Sequence, residues 1–382
     1  MNNIVSMKIV VNTRALMPNK LDGIGWFTFQ TLKRITQNNP EHEFIFLFDR
    51  PFSKEFIFSK NVKGIVLFPP ARHPFLYVIY YQWSVRNILK KIKPDVFLAP
   101  DGLVALGSKT KQLAVVHDIN FLHYPKDLGY FYSKYYSYFV PKFIQEAKRV
   151  ATVSEFSKQD ICKSYQVNPN KIDVVFNGIN EGYKPLLEET KQLVRDQYAN
   201  SKPYFIFVGS LSPRKNLIRL VQAFTKFKKE SQSDFQLVLV GSSFWGEKEL
   251  DDALKNSPYF SEIHIVGRLA QENLELVMGS AFALAFVSYF EGFGIPLIEA
   301  MQCDIPVLCS NTSCMPEIAE NAALYVDPFD VSSIATGMKQ LYDSPKLVGE
   351  LIENGRQQRQ KFSWDLTSNN LWNSILKTIS EN

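Results

Sequence analysis

Two glutamates, Glu291 and Glu299, stand eight residues apart in the stretch FEGFGIPLIEA. Gly292 and Gly294 between them permit tight backbone conformations close to a ligand, and Pro296 suits the first turn of a helix. Helical side chains lean toward the N-terminus, so Glu299 can reach back toward whatever the helix start binds, with Glu291 facing the same place. Carboxylates repel phosphate but accept hydrogen bonds from hydroxyl groups. The pair therefore predicts a sugar site, and the alternative is a capping acid followed by a solvated helix Glu.

A pair of cations follows an apolar run in YFIFVGSLSPRKNL. The run predicts a strand that ends at Gly209, and Arg214 and Lys215 then precede a helix predicted to start near Asn216. Free N–H groups at a helix start favour an anion, and two cations beside them would make a diphosphate site. The alternative is a solvated basic turn. Neither G-x-x-x-x-G-K-[ST] nor G-x-G-x-x-G is present, and the absence of D-x-D predicts that cations rather than a metal neutralise the phosphates.

The first half of the chain offers two weaker candidates. Gly23 and Gly25 lie in a predicted loop after the first strand, where a helix opens, although a lone Gly-x-Gly carries little weight. His117 and Asp118 follow a later strand, and a histidine there is more often a structural hydrogen-bonding group than a ligand contact.

Ten Phe and Tyr residues lie between Phe121 and Phe143, interleaved with lysines. Aromatic belts with basic residues suit a membrane interface, whereas core packing with a few exposed tyrosines explains the same composition. Both interpretations stay open at the level of sequence.

The elements that must position these residues alternate along the whole chain. Short β-branched and aromatic runs alternate with amphipathic segments of helical length, which predicts βαβ units and parallel sheets. The predicted strands are MKIVVN, EFIFLF, GIVLF, DVFLAP, QLAVVHD, RVATVS and IDVVF, then PYFIFVG, FQLVLVG, EIHIVG, AFALAFV, IPVLCS and AALYV. Helices are predicted near Gly25, Phe75, Tyr130 and Glu155.

At 382 residues the chain is long enough for two cores. We predict an α/β protein with a first domain over 1–176, a linker over 177–202, a second domain over 203–361, and a C-terminal helix over 362–382 that packs back toward the first domain. Two doubly wound domains would face a central cleft, with ligands at the carboxyl ends of their strands.

The charge distribution and the cysteine content indicate which partners and which compartment to expect. Residues 1–176 carry 24 Lys and Arg against 13 Asp and Glu, and the remainder carries 19 against 25, so the basic half is expected to meet an anionic partner. No nucleic-acid-binding motif accompanies this charge. The four cysteines have no metal-binding spacing and suit a reducing cytoplasm, and neither a signal peptide nor a spanning helix is predicted.

These motifs together resemble one family. EGFGIPLIE is similar to the E-x7-E motif of retaining glycosyltransferase family 4, and VGSLSPRKN, IHIVGRL, VSEFSKQDI and NGIN extend the resemblance over nearly the whole chain. The resemblance implies the GT-B architecture, which has two Rossmann-like domains and a donor bound mainly by the second. It is strongest toward bacterial mannosyltransferases of surface polysaccharide synthesis.

The resemblance also implies a role for each candidate residue. Arg214 and Lys215 would hold the donor diphosphate after Gly209, Glu299 the ribose, and Glu291 the transferred sugar. The remaining predicted contacts are the Phe293, Gly294 and Ile295 backbone at the sugar, Val266, Gly267 and Arg268 at the base, Gly23 or Gly25 at the diphosphate, and His117 at the sugar. Two departures from the family pattern are Ser210, where many members have Arg, and Asp22 before Gly23.

The predicted function is transfer of a hexose with retention of configuration, with GDP-mannose as the preferred donor and a UDP-hexose such as UDP-glucose as the alternative. No cofactor and no metal are expected. The predicted acceptor is a glycan or a lipid-linked sugar, met in the cytoplasm at the inner face of the plasma membrane through peripheral contact by the first domain. A sugar-nucleotide epimerase of the same architecture and a non-catalytic nucleotide-sugar binder are the rival interpretations.

Overall fold

The β-branched and aromatic runs form parallel strands in two separate sheets. The computed structural model describes residues 6–242 and 247–381, and the statements below concern these ranges. The chain divides into two compact units: the first combines Met1–Gly178 with Ser363–Asn382, and the second is Ile179–Phe362.

The first unit contains a parallel sheet of seven described strands in the order β3-β2-β1-β4-β5-β6-β7. Its central strands are buried along almost their whole length, as expected of a sheet covered on both faces. The strands are β1 Lys8–Asn12, β2 Glu43–Phe48, β3 Val62–Val66, β4 Val96–Ala99, β5 Gln112–Val115, β6 Arg149–Thr152 and β7 Ile172–Val174.

The helices of the first unit include one long interrupted run. The segment from Pro74 to Ile92 is α-helical at both ends, with a π-helical stretch, Tyr80–Val85, between them. The α-helices are α1 Gly23–Asn38, α2 Pro74–Ile79, α3 Arg86–Ile92, α4 Asn120–His123, α5 Tyr130–Glu146 and α6 Glu155–Tyr165.

The second unit repeats the plan with a parallel sheet of six described strands in the order β10-β9-β8-β11-β12-β13. The strands are β8 Tyr204–Val208, β9 Gln236–Val240, β10 Ile263–Gly267, β11 Ala283–Phe286, β12 Val307–Ser310 and β13 Ala323–Val326. The α-helices are α7 Glu188–Tyr198, α8 Leu217–Ser231, α9 Glu247–Lys255, α10 Gln271–Gly279, α11 Ile295–Gln302, α12 Met315–Ala319, α13 Val331–Asp343 and α14 Pro345–Gln358.

The last helix, α15 Trp364–Ser380, belongs to the first unit. Its Thr367 hydroxyl donates a hydrogen bond of 2.7 Å to the Phe176 carbonyl, and Arg34 of α1 pairs with Asp365 at 2.7 Å. The chain thus leaves the first unit after Gly178 and returns to it at Ser363.

The segment 177–202, interpreted from the sequence as a linker, contains helix α7 and falls almost entirely within the second unit. Only Val194 of this helix is buried. A helix that buries so little carries a weak apolar pattern, which is why the sequence indicated a connector. The two sheets otherwise confirm the predicted α/β class with two Rossmann-like units.

Candidate active site

The second sheet reverses its strand order between β8 and β11, which lie side by side. Loops that follow two such neighbouring strands diverge and leave a crevice at the carboxyl edge of the sheet, where doubly wound proteins bind ligands. The loop after β8 carries the two predicted cations, and the loop after β11 carries the first predicted glutamate. The fold therefore brings these predicted residues to one place.

A single 3-10 turn, Pro213–Lys215, fixes the two cations. Asn216 follows in the left-handed conformation, with φ of 62°, and its side-chain amide donates to the carbonyls of Val287 at 3.0 Å and Pro328 at 2.6 Å. Helix α8 then begins at Leu217, one residue after the predicted start. The turn is thereby tied to the loop after β11.

Glu291 lies between the two cations. Its carboxylate pairs with the Arg214 guanidinium at 2.6 Å and also contacts the Lys215 ammonium. Lys215 and Glu291 are buried, and Arg214 is about one fifth exposed. Burial alone would raise the pKa of the Glu291 carboxyl, but the two adjacent cations outweigh it and hold that pKa at about 2.

The cluster brings two cations and one carboxylate together at the crevice. The Arg214 guanidinium also donates to the Phe290 carbonyl at 3.1 Å. The Lys215 ammonium additionally lies 4.8 Å from the centre of the Phe286 ring. Two cations held at a strand end favour an anionic ligand group.

The glycines after Glu291 set the start of helix α11. Gly294 has φ of 83° and caps this helix, whose second residue is Pro296. The Phe293 ring packs edge-on against Phe362 at 5.6 Å, which anchors the loop. Backbone N–H groups at this helix start are positioned to meet a polar or anionic group. Ile295 is the first residue of the helix.

Glu299 is buried one turn into α11. Burial raises the pKa of this carboxyl to about 7, an interaction with the Tyr183 hydroxyl offsets part of the rise, and the Glu275 carboxylate adds to it. Near neutral pH the side chain is therefore close to half protonated. Sequence reasoning missed Tyr183 and Glu275, which lie far from Glu299 in the chain.

The ends of three neighbouring strands meet beside the cation pair. The Gly241 amide, after β9, donates to the Gly267 carbonyl at 2.9 Å, and the Gly209 amide, after β8, donates to the Val240 carbonyl at 3.0 Å. A Cβ on Gly241 would lie 1.7 Å from the Gly209 carbonyl oxygen. Val266, Gly267 and Arg268 therefore lie at the same edge of the sheet as Gly209. The contact between these strand ends is made by Gly241, which the sequence did not single out.

The remaining predicted site residues belong to the first unit. The His117 ring lies 2.9 Å from the Pro100 carbonyl through its Nε2 atom and packs edge-on against Phe27 at 5.0 Å. Burial lowers the pKa of His117 below its usual value. A neutral imidazole that donates from Nε2 keeps a lone pair on Nδ1, which can accept a hydrogen bond. His117 therefore has both a structural partner and an acceptor atom.

The two predicted glycines open helix α1. Gly23 is its first residue, and the Gly25 amide donates to the Asp22 carboxylate at 2.8 Å. The aspartate that departs from the family pattern is therefore the N-cap of this helix.

Sequence reasoning also missed a polar network at the switch point of the first sheet, between β1 and β4. Asp101 accepts hydrogen bonds from Asn12 at 2.9 Å and Tyr81 at 2.8 Å, and Arg14 pairs with it at 3.1 Å. The Arg14 guanidinium lies 4.8 Å from the centre of the Tyr77 ring. The available signal was the polar triplet Asn12-Thr13-Arg14 at the end of an apolar strand.

The described residues contain neither a metal-binding cluster nor a membrane-spanning helix. Among the residues 6–242 and 247–381, no group of three or more His, Cys, Asp and Glu side chains is arranged to hold a metal ion. Within the same ranges, no helix is long and apolar enough to cross a membrane.

Comparison with known proteins gives two family models, one for each half of the chain. The model for Glycosyltransferase Family 4 matches residues 21–183, and the model for Glycosyl transferases group 1 matches residues 190–358. Together they account for most of the chain.

Individual proteins are similar over comparable lengths. O-antigen chain mannosyltransferase B of Escherichia coli is 25% identical over 374 residues, covering 94% of this chain and 97% of that protein. O-antigen chain mannosyltransferase RfbU of Salmonella typhimurium is 27% identical over 277 residues, covering 72% and 73%. The Anabaena Alr3699/HepE structure in complex with UDP-glucose has a TM-score of 0.76 at 16% identity, covering 97% of this chain and 100% of that one, and so shows the fold.

The two Rossmann-like sheets, the predicted residues at the second switch point and the two family models agree. The chain belongs to glycosyltransferase family 4, has the GT-B fold and resembles mannosyltransferases of O-antigen synthesis.

Proposed function

We propose that this glycosyltransferase moves a hexose, with mannose as first choice, from a nucleoside diphosphate sugar to an acceptor with retention of configuration. The observation that carries the proposal is the cluster of Arg214, Lys215 and Glu291 at the switch point of the second sheet. Its two cations suit a diphosphate, and its carboxylate suits the hydroxyl groups of a sugar.

We assign the donor contacts accordingly. Arg214 and Lys215 bind the diphosphate, Glu291 binds the transferred sugar, and Glu299 binds the ribose. The further proposed contacts are Gly209 at the diphosphate, the backbone of Phe293, Gly294 and Ile295 at the sugar, Val266, Gly267 and Arg268 at the base, Gly23 or Gly25 at the diphosphate, and His117 at the sugar.

The proposed reaction needs no protein nucleophile. The bond from the anomeric carbon to the diphosphate oxygen breaks, and its electron pair stays on the leaving group. The acceptor hydroxyl oxygen bonds to the anomeric carbon on the same face, and its proton passes to a phosphate oxygen. Negative charge on the leaving group grows along this path, so fixed cations lower the barrier.

Metal independence is part of the proposal, because Arg214 and Lys215 supply the charge that a D-x-D motif and its metal would otherwise supply. We expect full activity after dialysis against EDTA. Activity that is lost on dialysis and restored by Mg²⁺ or Mn²⁺ would contradict this part. We propose no cofactor.

The names of the similar proteins support mannose as the transferred sugar, since both O-antigen enzymes are mannosyltransferases. GDP-mannose is therefore the preferred donor. A UDP-hexose is the alternative, favoured by the similar fold of the Anabaena protein that was crystallised with UDP-glucose.

We propose that the acceptor is a growing glycan or lipid-linked sugar at the cytoplasmic face of the plasma membrane, and that the first unit binds it. The network of Arg14, Asp101 and Tyr81 supports this assignment because it lies at the switch point of the first sheet. The ion pair of Arg14 and Asp101 is neutral overall, and the Tyr77 ring lies against Arg14. A neutral site with an aromatic ring suits an uncharged sugar ring.

A thermal-shift panel with GDP-mannose, UDP-glucose, GDP and UDP tests donor binding. A ligand at 100 times its Kd adds about 2.7 kcal/mol to the free energy of unfolding. The sugar nucleotide that stabilises the protein is then used in a transfer assay. Detection of a glycosidic product, rather than an epimerised sugar nucleotide or none, separates a transferase from an epimerase and from a non-catalytic binder.

Two alanine variants test the assignment of the cations. We expect Arg214→Ala and Lys215→Ala each to lower kcat/KM by about tenfold or more, because a charge-assisted contact to phosphate contributes about 1.5 to 3 kcal/mol. Lys346→Ala is the control, since that lysine is exposed in the same unit. Near-normal turnover in both variants would remove the phosphate assignment.

A further inference from the structure

The first unit carries large aromatic side chains on its surface along the helical run from Pro74 to Ile92. Phe75 is 68% exposed and Trp83 is 64% exposed, although Tyr77, Tyr80 and Tyr81 in the same run are buried. Phe75 lies before the π-helical stretch, and Trp83 lies within it. Clustered large apolar groups on a protein surface mark interaction sites.

Helix α5 presents a second set of exposed rings. Tyr130, Phe131 and Tyr138 are exposed, whereas Tyr135 and Phe143 are buried in the core of the first unit. The two sequence interpretations of the aromatic stretch therefore apply to different positions. One side of the helix packs inward, and the other leaves aromatic rings uncovered.

The start of the Pro74–Ile92 run adjoins helix α5. The His73 ring, at the start of α2, lies 6.0 Å from the Phe131 ring, and the Tyr132 hydroxyl donates to the Arg72 carbonyl at 3.1 Å. The Tyr77 and Tyr135 rings are 5.4 Å apart beneath the surface. We call the combined surface the aromatic face; it comprises Phe75, Trp83, Tyr130, Phe131 and Tyr138.

The segments that form this face are mostly basic. The run from Pro74 to Ile92 has Arg86, Lys90 and Lys91 and no acidic residue, and α5 has Lys134 and Lys142, with Glu146 as its last residue. The Lys134 ammonium lies 5.6 Å from the centre of the Tyr130 ring, and the Lys142 ammonium lies 3.5 Å from that of Tyr138. Cations thus stand beside the exposed rings themselves.

We propose that the aromatic face docks the enzyme on an anionic lipid bilayer, with Phe75, Trp83 and Phe131 in the interfacial layer and the lysines over acidic headgroups. Rings with cations beside them suit this environment, because aromatic side chains favour the headgroup level and basic residues are attracted to acidic lipid. A second copy of the chain is the weaker occupant, since two identical basic faces would repel. The inference rests on the proposed function in one respect, which is that the acceptor is a lipid-linked sugar.

Vesicle binding tests this surface directly. The protein should sediment with phosphatidylcholine vesicles that contain phosphatidylglycerol, release as salt is raised, and stay in solution with pure phosphatidylcholine. Replacing Lys126, Lys134 and Lys142 by Ser should weaken binding by about tenfold or more. The matched control replaces three exposed lysines of the second unit, Lys229, Lys255 and Lys346, and should bind like the parent protein.

Insertion of the rings is tested separately from charge. Brominated phosphatidylglycerol vesicles should quench tryptophan fluorescence in the parent protein and less so in Trp83→Phe. Phe75→Ser with Phe131→Ser should bind weakly, whereas Phe260→Ser, an exposed ring of the second unit, should not change binding. If Trp83 is not quenched while binding remains sensitive to salt, the protein contacts the bilayer through charge alone. That outcome would overturn the proposed insertion of the rings.

Other outcomes would overturn the docking itself. These are no binding to acidic vesicles at low salt, equal loss in the lysine variant and its control, or a dimer in lipid-free solution that the Phe75 and Phe131 variant dissociates. Stabilisation by GDP-mannose or UDP-glucose, measured on the same variants, should match the parent protein. If neither sugar nucleotide stabilises the parent protein, the proposed donor is wrong. The result of the vesicle experiment would not be affected.

Discussion

At the scale of single residues, the carboxylate of Glu291 contacts the two cations that the proposed function assigns to the donor diphosphate. It pairs with Arg214 at 2.6 Å and contacts Lys215 in a buried environment. In the proposed donor complex, the diphosphate would share these cations with the carboxylate. Glu291 would therefore weaken the binding of the leaving group and at the same time contact the sugar.

Replacing Glu291 by Gln separates these two effects. We expect Glu291→Gln to bind free GDP or UDP several-fold more tightly, because the two cations lose their internal counter-ion. Transfer should fall by about tenfold or more with loss of the charged sugar contact. Titration calorimetry with the nucleotide and a transfer assay measure the two quantities. Glu320→Gln, which removes an exposed ion pair to Lys361, is the control; unchanged or weaker nucleotide binding in Glu291→Gln would refute the competition.

Glu299 makes the stability of the second unit depend on pH. Its folded pKa of about 7 exceeds the unfolded value of about 4.5, so its contribution to stability is complete below pH 4.5 and is lost as pH rises through 7. Glu291, with its pKa near 2, does not titrate in that window. The protein should therefore lose up to about 3 kcal/mol from this one residue between pH 5 and pH 8.

Urea unfolding of the parent protein and of Glu299→Gln at pH 5 and pH 8 checks this prediction. The difference between the two proteins isolates Glu299 from other titrating groups such as His264. We expect the variant to be relatively more stable at pH 8 than at pH 5. The same relative stability at both pH values would show that the carboxyl is not held in its neutral form.

At the scale of elements, the proposed donor site depends on how closely the ends of β8 and β9 approach. A Cβ at Gly241 would lie 1.7 Å from the Gly209 carbonyl oxygen, and the φ of 151° there disfavours other residues. Gly241→Ala must therefore push the loop that leads to Arg214 out of place. We expect a loss of several kcal/mol in the free energy of unfolding and a loss of donor binding, measured by chemical unfolding and thermal shift.

Gly349→Ala is the matched control for that substitution. Gly349 lies in helix α14, and a Cβ there would meet no heavy atom within 4 Å. Alanine in a helix interior is favoured over glycine by about 0.5 to 1 kcal/mol, so this variant should be slightly more stable than the parent. Equal effects at the two positions would contradict the argument from close strand approach.

The elements themselves were largely predictable. Buried parallel strands are continuous runs of β-branched and aromatic residues, and each predicted strand is present in the order expected of doubly wound sheets. Helix α7 was not predicted because Val194 is its only buried residue. Local sequence patterns therefore predicted the strands and helices that bury a wide apolar surface. They did not predict a helix that buries little.

The contacts within the candidate site were less predictable for a physical reason. The sequence placed Arg214, Lys215 and Glu291 at strand ends, and the order of the strands then made them neighbours. The approach of Tyr183 to Glu299, and of Arg14 to Asp101, depends on side-chain packing between segments that are distant in the chain. No local period or motif encodes such contacts, which arise only when the units fold.

At the scale of the whole molecule, the chain crosses between its two units twice, and the second crossing returns α15 to the first unit. Trp364, Leu371 and Ile375 of this helix are buried, and Lys377 pairs with Asp173 at 2.9 Å. The first unit is thus completed by residues that are synthesised last. Its stability depends on a helix that follows the entire second unit in sequence.

Two leucines of α15 allow this dependence to be tested with a matched pair. Leu371 is fully buried, and Leu366 is 45% exposed. Leu371→Ala should cost about 2 to 5 kcal/mol through lost burial and a cavity, whereas Leu366→Ala should change stability by less than about 0.5 kcal/mol. Because each unit has its own core, calorimetry should show the loss in the transition of the first unit alone. The transition stabilised by GDP-mannose or UDP-glucose identifies the second unit, and a Leu371→Ala effect on that transition would mean that the two units unfold as one.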